Sequence, residues 1–338
     1  MGKYVTLTEI AKKLGVSHST VSRALHKNPR ISKETQQRVQ QLADELGYQV
    51  NDTAHLLSKG KSHLIGVIIP DIAIYFYAKV VEAIQQSLKD TPYSIVLFNT
   101  AESVEEEIQV INKCLNFRTD GILAAISMQT KTFVHFEKLL KHEVPLVFFD
   151  RVANFLPVPK VITNDYQASY NATKYLIDSG CKCIAHITAS INLNNSNNRM
   201  YGYLDALRDN NQKIKEELIH YYALEQQSIE IFLRNTIAKY PQVDGLFVFN
   251  DYVANQAVNI LQKLGKHIPA DISVMGFSDE PVATYMTPQL STVEQVAPKM
   301  GRLAAQKLIS IINRNEPQRS EKIIINQQLV LRETTRGM

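Results

Sequence analysis

The chain has no tryptophan among its 338 residues and only three cysteines, Cys114, Cys181 and Cys183. So sparse and odd a set is no disulfide framework, and it suits a reducing compartment. Cys181-Lys-Cys183 lacks the companion ligands a zinc site needs, so neither a metal nor any other cofactor is expected. No apolar run approaches the ~18 residues of a membrane span, and none precedes the first helical pattern, which points to a cytoplasmic protein without a membrane partner. G-x-G-x-x-G, P-loop and G-x-S-x-G are all missing. Without a phosphate cradle or a nucleophile elbow, an enzyme is not expected. There is no internal repeat and no low-complexity stretch.

What charge there is lies unevenly. Residues 1 to 61 hold ten Lys/Arg against five Asp/Glu, while the other 277 residues balance at 27 against 28, so the whole formal excess of +4 sits in the N-terminal segment. A basic head on a neutral body fits a local phosphate-binding surface. The length and a 45% hydrophobic content suffice for two or three well-buried cores.

The head reads as three short helices. In TEIAKKLGVSHSTVSRALH (8 to 26), Ile10, Ala11 and Leu14 give one helix an apolar face, and Val21, Ala24 and Leu25 give the next a matching one at i, i+3, i+4. Gly15 stands where the first helix must end, and Ser17 where the second needs an N-cap. His18, Ser19, Ser22 and Arg23 remain outward as i, i+4 pairs, the way a recognition helix presents donors and acceptors to base edges in a major groove. ISKETQQRVQQLADELGY then predicts a third helix, capped by Ser32, with Val39, Leu42, Ala43 and Leu46 inward and Gly47 ending it. The polar stretch VNDTAHLLSKGKS, with Ala54, Leu56 and Leu57, reads as a linker able to form a marginal helical turn or two.

From Leu64 the pattern becomes apolar strands alternating with amphipathic helices: 64 to 70, 94 to 99, 121 to 126, 146 to 150, 183 to 188, 245 to 250 and 272 to 277. Nearly continuous apolar runs of strand length belong to parallel sheets covered on both faces. There are too many for one half-sheet, and a break falls near Lys160 to Asp165, where VITND starts a second series. Two doubly wound α/β lobes with a cleft between them follow, behind an all-α head. The expected division is 1 to 49 for the head, 50 to 61 for the linker and 62 to 338 for the body. Within the body, lobe 1 takes about 62 to 163 and 294 to 322, and lobe 2 about 164 to 293 and 323 to 338.

Ligands in such sheets lie beyond the carboxyl ends of the strands. Tyr75 and Phe76 follow the first strand, Asp150 and Arg151 the fourth, Asn250 and Asp251 the sixth, Ser278 and Asp279 the seventh, and Arg199 is expected to begin the helix after the fifth. Aromatic faces stack on sugar rings or bases, and Arg, Asn and Asp add directional hydrogen bonds. Asp165, Asp251 and Asp279 could equally serve as helix caps.

Taken in order, GVSHSTVSRAL (15 to 25), ISKETQQRV (31 to 39), ELGYQVN (45 to 51), AHLL (54 to 57), FFDR (148 to 151), RMYGYLDAL (199 to 207), FND (249 to 251) and VMGFSDEPVATYMTPQLSTV (274 to 293) resemble the lactose and galactose repressor family of bacterial transcription regulators. The resemblance runs from Thr6 to Arg332. It implies a homodimeric repressor of periplasmic-binding-protein-like build that reads a near-palindromic operator in double-stranded DNA. His18, Ser19 and Arg23 would read bases, and Ser17, Thr20 and Ser22 would hold phosphates. The linker would be a minor-groove hinge using Asn51, Ala54, His55 and Leu57, with Leu57 wedged between base pairs. Val50 and His55 depart from the usual proline and arginine.

The resemblance also implies a small-molecule effector, a sugar or sugar derivative, held by Tyr75, Phe76, Asp150, Arg199, Asn250, Ser278 and Asp279. Ser278 stands where many sugar-binding members carry aspartate. A neutral serine would leave Arg199 less compensated, which favours an anionic ligand such as a sugar acid or sugar phosphate. Control by a partner protein, no effector at all, or a purine-type effector are the alternatives. A periplasmic binding protein would account for 62 to 338 but not for the head. With no heptad tail after LVLRETTR, a dimer is expected rather than a four-chain assembly.

Overall fold

A computed structural model describes residues 5 to 48, 61 to 189, 192 to 222, 226 to 314 and 319 to 337. The hinge residues Asn51, Ala54, His55 and Leu57 lie outside the described residues. The chain divides into two compact units, Met1–Ser62 and His63–Met338.

In the first unit, α1 (Leu7–Leu14), α2 (His18–Leu25) and α3 (Lys33–Glu45) form where local chemistry starts and stops them. The Thr6 hydroxyl accepts from the Glu9 amide while the Glu9 carboxylate accepts from the Thr6 amide, a capping box that the sequence reading overlooked. Gly15 ends α1 in the left-handed region at φ 65°, open to glycine at least cost. Ser17 and Ser32 accept from the amides of Thr20 and Thr35 and so cap α2 and α3. Ile10, Ala11, Val21, Ala24, Val39 and Ala43 meet as a small closed core, with Leu14, Leu25, Leu42 and Leu46 half-buried around it.

The second unit holds two parallel sheets. The first has the order β11-β5-β4-β3-β1-β2, built from β1 (Leu64–Ile69), β2 (Ser94–Asn99), β3 (Gly121–Ala124), β4 (Leu146–Phe149), β5 (Lys160–Thr163) and β11 (Lys322–Ile325). Helices α4 (Tyr75–Leu88) and α12 (Ala297–Arg314) cover one face through Val80, Ile84, Met300, Ala304 and Leu308. On the other face, α5 (Val104–Asn116) and α6 (Val134–Lys141) bring Val110, Ile111, Phe136 and Leu139. The second sheet has the order β7-β6-β8-β9, from β6 (Ile184–Thr188), β7 (Ile219–Tyr221), β8 (Gly245–Val248) and β9 (Ser273–Met275). Around it lie α7 (Asp165–Asp178), α8 (Asn194–Asp209), α9 (Gln226–Lys239) and α10 (Asp251–Lys263), with the single turn α11 (Val282–Tyr285). An antiparallel ribbon of β10 (Thr292–Val293) and β12 (Leu329–Val330) accompanies two bridges, Met275 with Ser291 and Ser278 with Glu294.

Three departures from the sequence reading share one cause. VIT, read as the start of a second series, is β5 and lies between β4 and β11 in the first sheet. The return to lobe 2, expected after residue 322, comes after Ile325, because Lys322–Ile325 pairs in register with Lys160–Thr163. Helix α8 starts at Asn194 rather than at Arg199, which therefore sits on the second turn. Parallel pairing partners lie far apart in the chain, so neither sheet membership nor a polar helix start is written in local periodicity.

Candidate functional site

On α2, Ser17, His18, Ser19 and Arg23 are exposed, and Thr20 and Ser22 are half-buried. The Ser17 hydroxyl also lies 2.8 Å from those of Ser19 and Thr20, tying the start of the helix together. His26 Nδ1 is 2.7 Å from the Ser22 carbonyl, which leaves the Ser22 hydroxyl out of that contact. The edge formed by His18, Ser19, Ser22 and Arg23 is thus free of the apolar core, as base reading requires.

Between the lobes lies a cleft lined by Ile74, Phe76, Tyr77, Asp150, Arg151, Ala189, Leu193, Asn195, Ser196, Arg199, Phe249, Asn250, Tyr252, Ser278, Glu280 and Gln295. Five of the seven residues named for the ligand are therefore brought together: Phe76, Asp150, Arg199, Asn250 and Ser278. Tyr75 and Asp279 line a neighbouring outer groove of about 370 Å³ instead. Tyr75 is exposed there beneath Lys79, and Asp279 is engaged by Arg332 at 2.7 Å.

Asp150 is the polar centre. It follows β4 in the left-handed region at φ 56° and is 3% exposed. Its Oδ2 accepts from the Tyr77 hydroxyl at 2.7 Å, and its Oδ1 from Gln295 at 3.1 Å and Asn195 at 3.3 Å. Burial pushes the Tyr77 phenol well above its ordinary range, so it stays a donor. Arg151 donates to Glu102, at 2.7 Å and 3.0 Å from its two oxygens, while its Nε lies 4.0 Å from Asp150 Oδ2. Ser278 donates to Gln295 at 2.8 Å, and Asn250 caps α10 by accepting from Val253 at 2.8 Å.

Arg199 is not the under-compensated cation that the sequence suggested. Its Nε donates to Asp165 Oδ1 at 2.9 Å, and Nη2 lies 2.9 Å from the same oxygen as an ion pair. Nη1 donates to the Phe249 carbonyl at 2.7 Å, and the guanidinium lies 3.7 Å over the Phe277 ring. Asp165 and Arg199 are 34 residues apart, which is why the pairing escaped a linear reading. Burial pushes the Asp165 carboxyl upward, against the pull of Arg199. Asp165 thus compensates the charge that the sequence left spare, while Arg199 Nη2 makes no hydrogen bond among the described residues.

None of the three aspartates weighed as helix caps is one. Asp165 holds Arg199, Asp279 holds Arg332, and Asp251 accepts from the Thr292 hydroxyl at 2.6 Å and the Glu280 amide at 2.8 Å. Sequence reasoning also passed over Tyr77, Asn195, Gln295 and Glu280. Only Tyr77, two residues past Tyr75, lay near a strand end already under suspicion. The others reach the cleft from a helix and two loops.

Among the described residues no helix is long and apolar enough to cross a membrane, and no group of three or more His, Cys, Asp or Glu could hold a metal ion.

Residues 6 to 51 match the profile of the bacterial regulatory proteins of the lacI family, and residues 173 to 335 that of a periplasmic binding protein-like domain. The chain is 31% identical over 339 residues to a probable HTH-type transcriptional repressor ExuR of Bacillus subtilis, covering 99% of both chains. It is 30% identical over 334 residues to the ribose operon repressor of Halalkalibacterium halodurans, covering 98% of this chain and 97% of that one. In fold it is similar to the lac repressor dimer bound to operator and the anti-inducer ONPF, with TM-score 0.83, 23% identity, and 99% of this chain and all of that one covered. It is likewise similar to the CelR–cellobiose complex, with TM-score 0.74, 24% identity, and 98% and 99% covered. The protein belongs to the lacI family of bacterial regulatory proteins and is a DNA-binding transcriptional regulator.

Proposed function

We propose that this protein represses transcription in the cytoplasm as a homodimer. The α2 helices of two heads read the half-sites of a near-palindromic operator, and a small hydroxylated ligand between the lobes sets the affinity for DNA. His18, Ser19 and Arg23 read bases, and Ser17, Thr20 and Ser22 hold phosphates. Segment 50 to 61, with Asn51, Ala54, His55 and Leu57, couples the head to the body.

The observation that carries the effector half is the cleft itself. Polar groups from several elements converge there on the buried Asp150, beside the aromatic faces of Phe76, Tyr77, Phe249 and Tyr252. Its free volume is about 70 Å³, below the ~300 to 1,000 Å³ of ordinary ligand sites. The lobes or their side chains must therefore part to admit a sugar, and a ligand that favours one arrangement over the other shifts the equilibrium between them. A coupling of this kind is reciprocal, so operator binding changes ligand affinity by the same factor.

The test is fluorescence anisotropy with a labelled palindrome from DNA flanking the gene and with a scrambled duplex, across a salt series. Selective binding is expected, and Arg23→Ala lowers affinity for the palindrome by roughly 5- to 150-fold, the worth of a bidentate guanine contact. Equal affinity for both duplexes at every salt concentration refutes the DNA-reading assignment.

A further inference from the structure

Two residues beyond Ser278, inside the 274 to 293 segment, stands a carboxyl to which the sequence reading gave no role. Glu280 is 4% exposed and lines both the cleft and the outer groove. Its carboxyl group faces the backbone N–H of Phe76, in the first turn of α4, without a hydrogen bond to it. That turn has no side-chain cap from its own N-cap residue, Ile74, and its positive end favours a carboxyl group nearby. Glu280 Oε2 is buried with no hydrogen-bond partner among the described residues. A buried carboxylate oxygen without a donor costs free energy, and such an exception to pairing calls for a missing partner.

We infer that Glu280 is the specificity-determining carboxyl of the cleft, its buried Oε2 accepting from a hydroxyl of a neutral, polyhydroxylated ligand while the group stays beside the N-terminus of α4. The inference rests on the effector reading above and names its ligand class. The balance of charge lining the cleft supports neutrality. Arg199 is matched by Asp165, and Arg151 by Glu102 and, at 4.0 Å, by Asp150, whereas Glu280 faces the cleft with no ion-pair partner among the described residues. An anionic sugar would meet the unpaired carboxyl of Glu280 and two guanidinium groups already matched by carboxylates, of which Arg199 Nη2 keeps an unused hydrogen-bond donor. Asp279, the acid singled out in the sequence, is spent on Arg332 and is absent from the cleft lining.

The experiment is calorimetric titration of the full chain, as wild type, Glu280→Gln and Asp279→Asn, with D-ribose, D-glucose, cellobiose, D-glucuronate and D-glucosamine. Each variant is first checked for cooperative melting. At least one neutral sugar is expected to bind the wild type, and Glu280→Gln weakens it by at least about tenfold, the worth of a hydrogen bond to a charged acceptor. Asp279→Asn stays within about threefold. Equal binding of a neutral sugar by wild type and Glu280→Gln overturns the role of Glu280 and leaves the effector reading standing. Binding of glucuronate or glucosamine alone overturns the ligand class. If none of the five binds the wild type, the effector reading fails and this inference with it.

Discussion

Replacing Arg199 by methionine tests whether the ion pair beneath the cleft is closed. Both side chains are almost fully buried, at 5% and 2% exposure, and Asp165 Oδ1 takes two arginine nitrogens at 2.9 Å. Methionine keeps the length and the contact with Phe277 but leaves Asp165 with only the Thr163 hydroxyl, 2.9 Å from its Oδ2. Removing one partner of a buried pair costs about 3 to 5 kcal/mol, because the desolvated charge left behind is uncompensated. For a body of this size that is a fall of roughly 6 to 20 °C in melting midpoint. The lone carboxyl then has a folded-state pKa further above its unfolded value, so its stabilising contribution is complete at low pH and lost as pH rises through the folded value. The deficit of Arg199→Met should therefore shrink at pH 5 and widen at pH 8. Adding Asp165→Asn removes the stranded charge and should recover much of the loss, a non-additivity expected of groups in contact. The measurement is differential scanning calorimetry of the four proteins. A midpoint within 2 °C of wild type for Arg199→Met, or a double variant equal to the sum of the singles, refutes the reasoning.

Two further outcomes follow from the packing and the buried acids. A methyl group on Gly202 would sit 2.8 Å from the Tyr170 amide and closer still to the Tyr166 carbonyl oxygen, so Gly202→Ala forces α7 and α8 apart and should cost about 1 to 3 kcal/mol, read as a lower urea midpoint. Burial, reinforced by Asp251, pushes the Glu280 carboxyl up to about 7, and burial pushes Asp251 to about 6, so both stabilise most at low pH and lose that contribution as pH rises through those values. His186 opposes them: burial holds it at about 4, so it favours the folded state less as pH falls below its ordinary 6.5. From pH 6.5 to 8 Glu280 gives the largest change of the three, partly offset by His186, whose unfolded imidazole is still losing its proton. Over that range the melting midpoint of the wild type should drop by roughly 2 to 4 °C relative to that of Glu280→Gln, for a loss of about 1 kcal/mol. An unchanged slope in the variant refutes the assignment of that titration to Glu280.

What the chain determined by itself is whatever closes within a few residues. Ser17, Ser32 and Gly15 bound the head helices through contacts three or four positions away, and the apolar faces at i, i+3, i+4 had only one another to meet. Continuous runs of strand length such as LIGVII, alternating with amphipathic helices, fit strands buried on both faces, so the α/β build of the body was legible as well. Tertiary structure alone decided the rest. β5 needed β11, 162 residues later, to show which sheet it joins. Asp165 chose Arg199 over a helix cap, Asp279 chose Arg332 over the cleft, and Glu280, Gln295 and Asn195 met in the cleft from segments with no shared spacing. Periodicity reports which face of an element is apolar, but it carries no information about which distant polar group will be desolvated beside another. That is set by how parallel strands cross between the lobes, and the charge of the cleft is set with it.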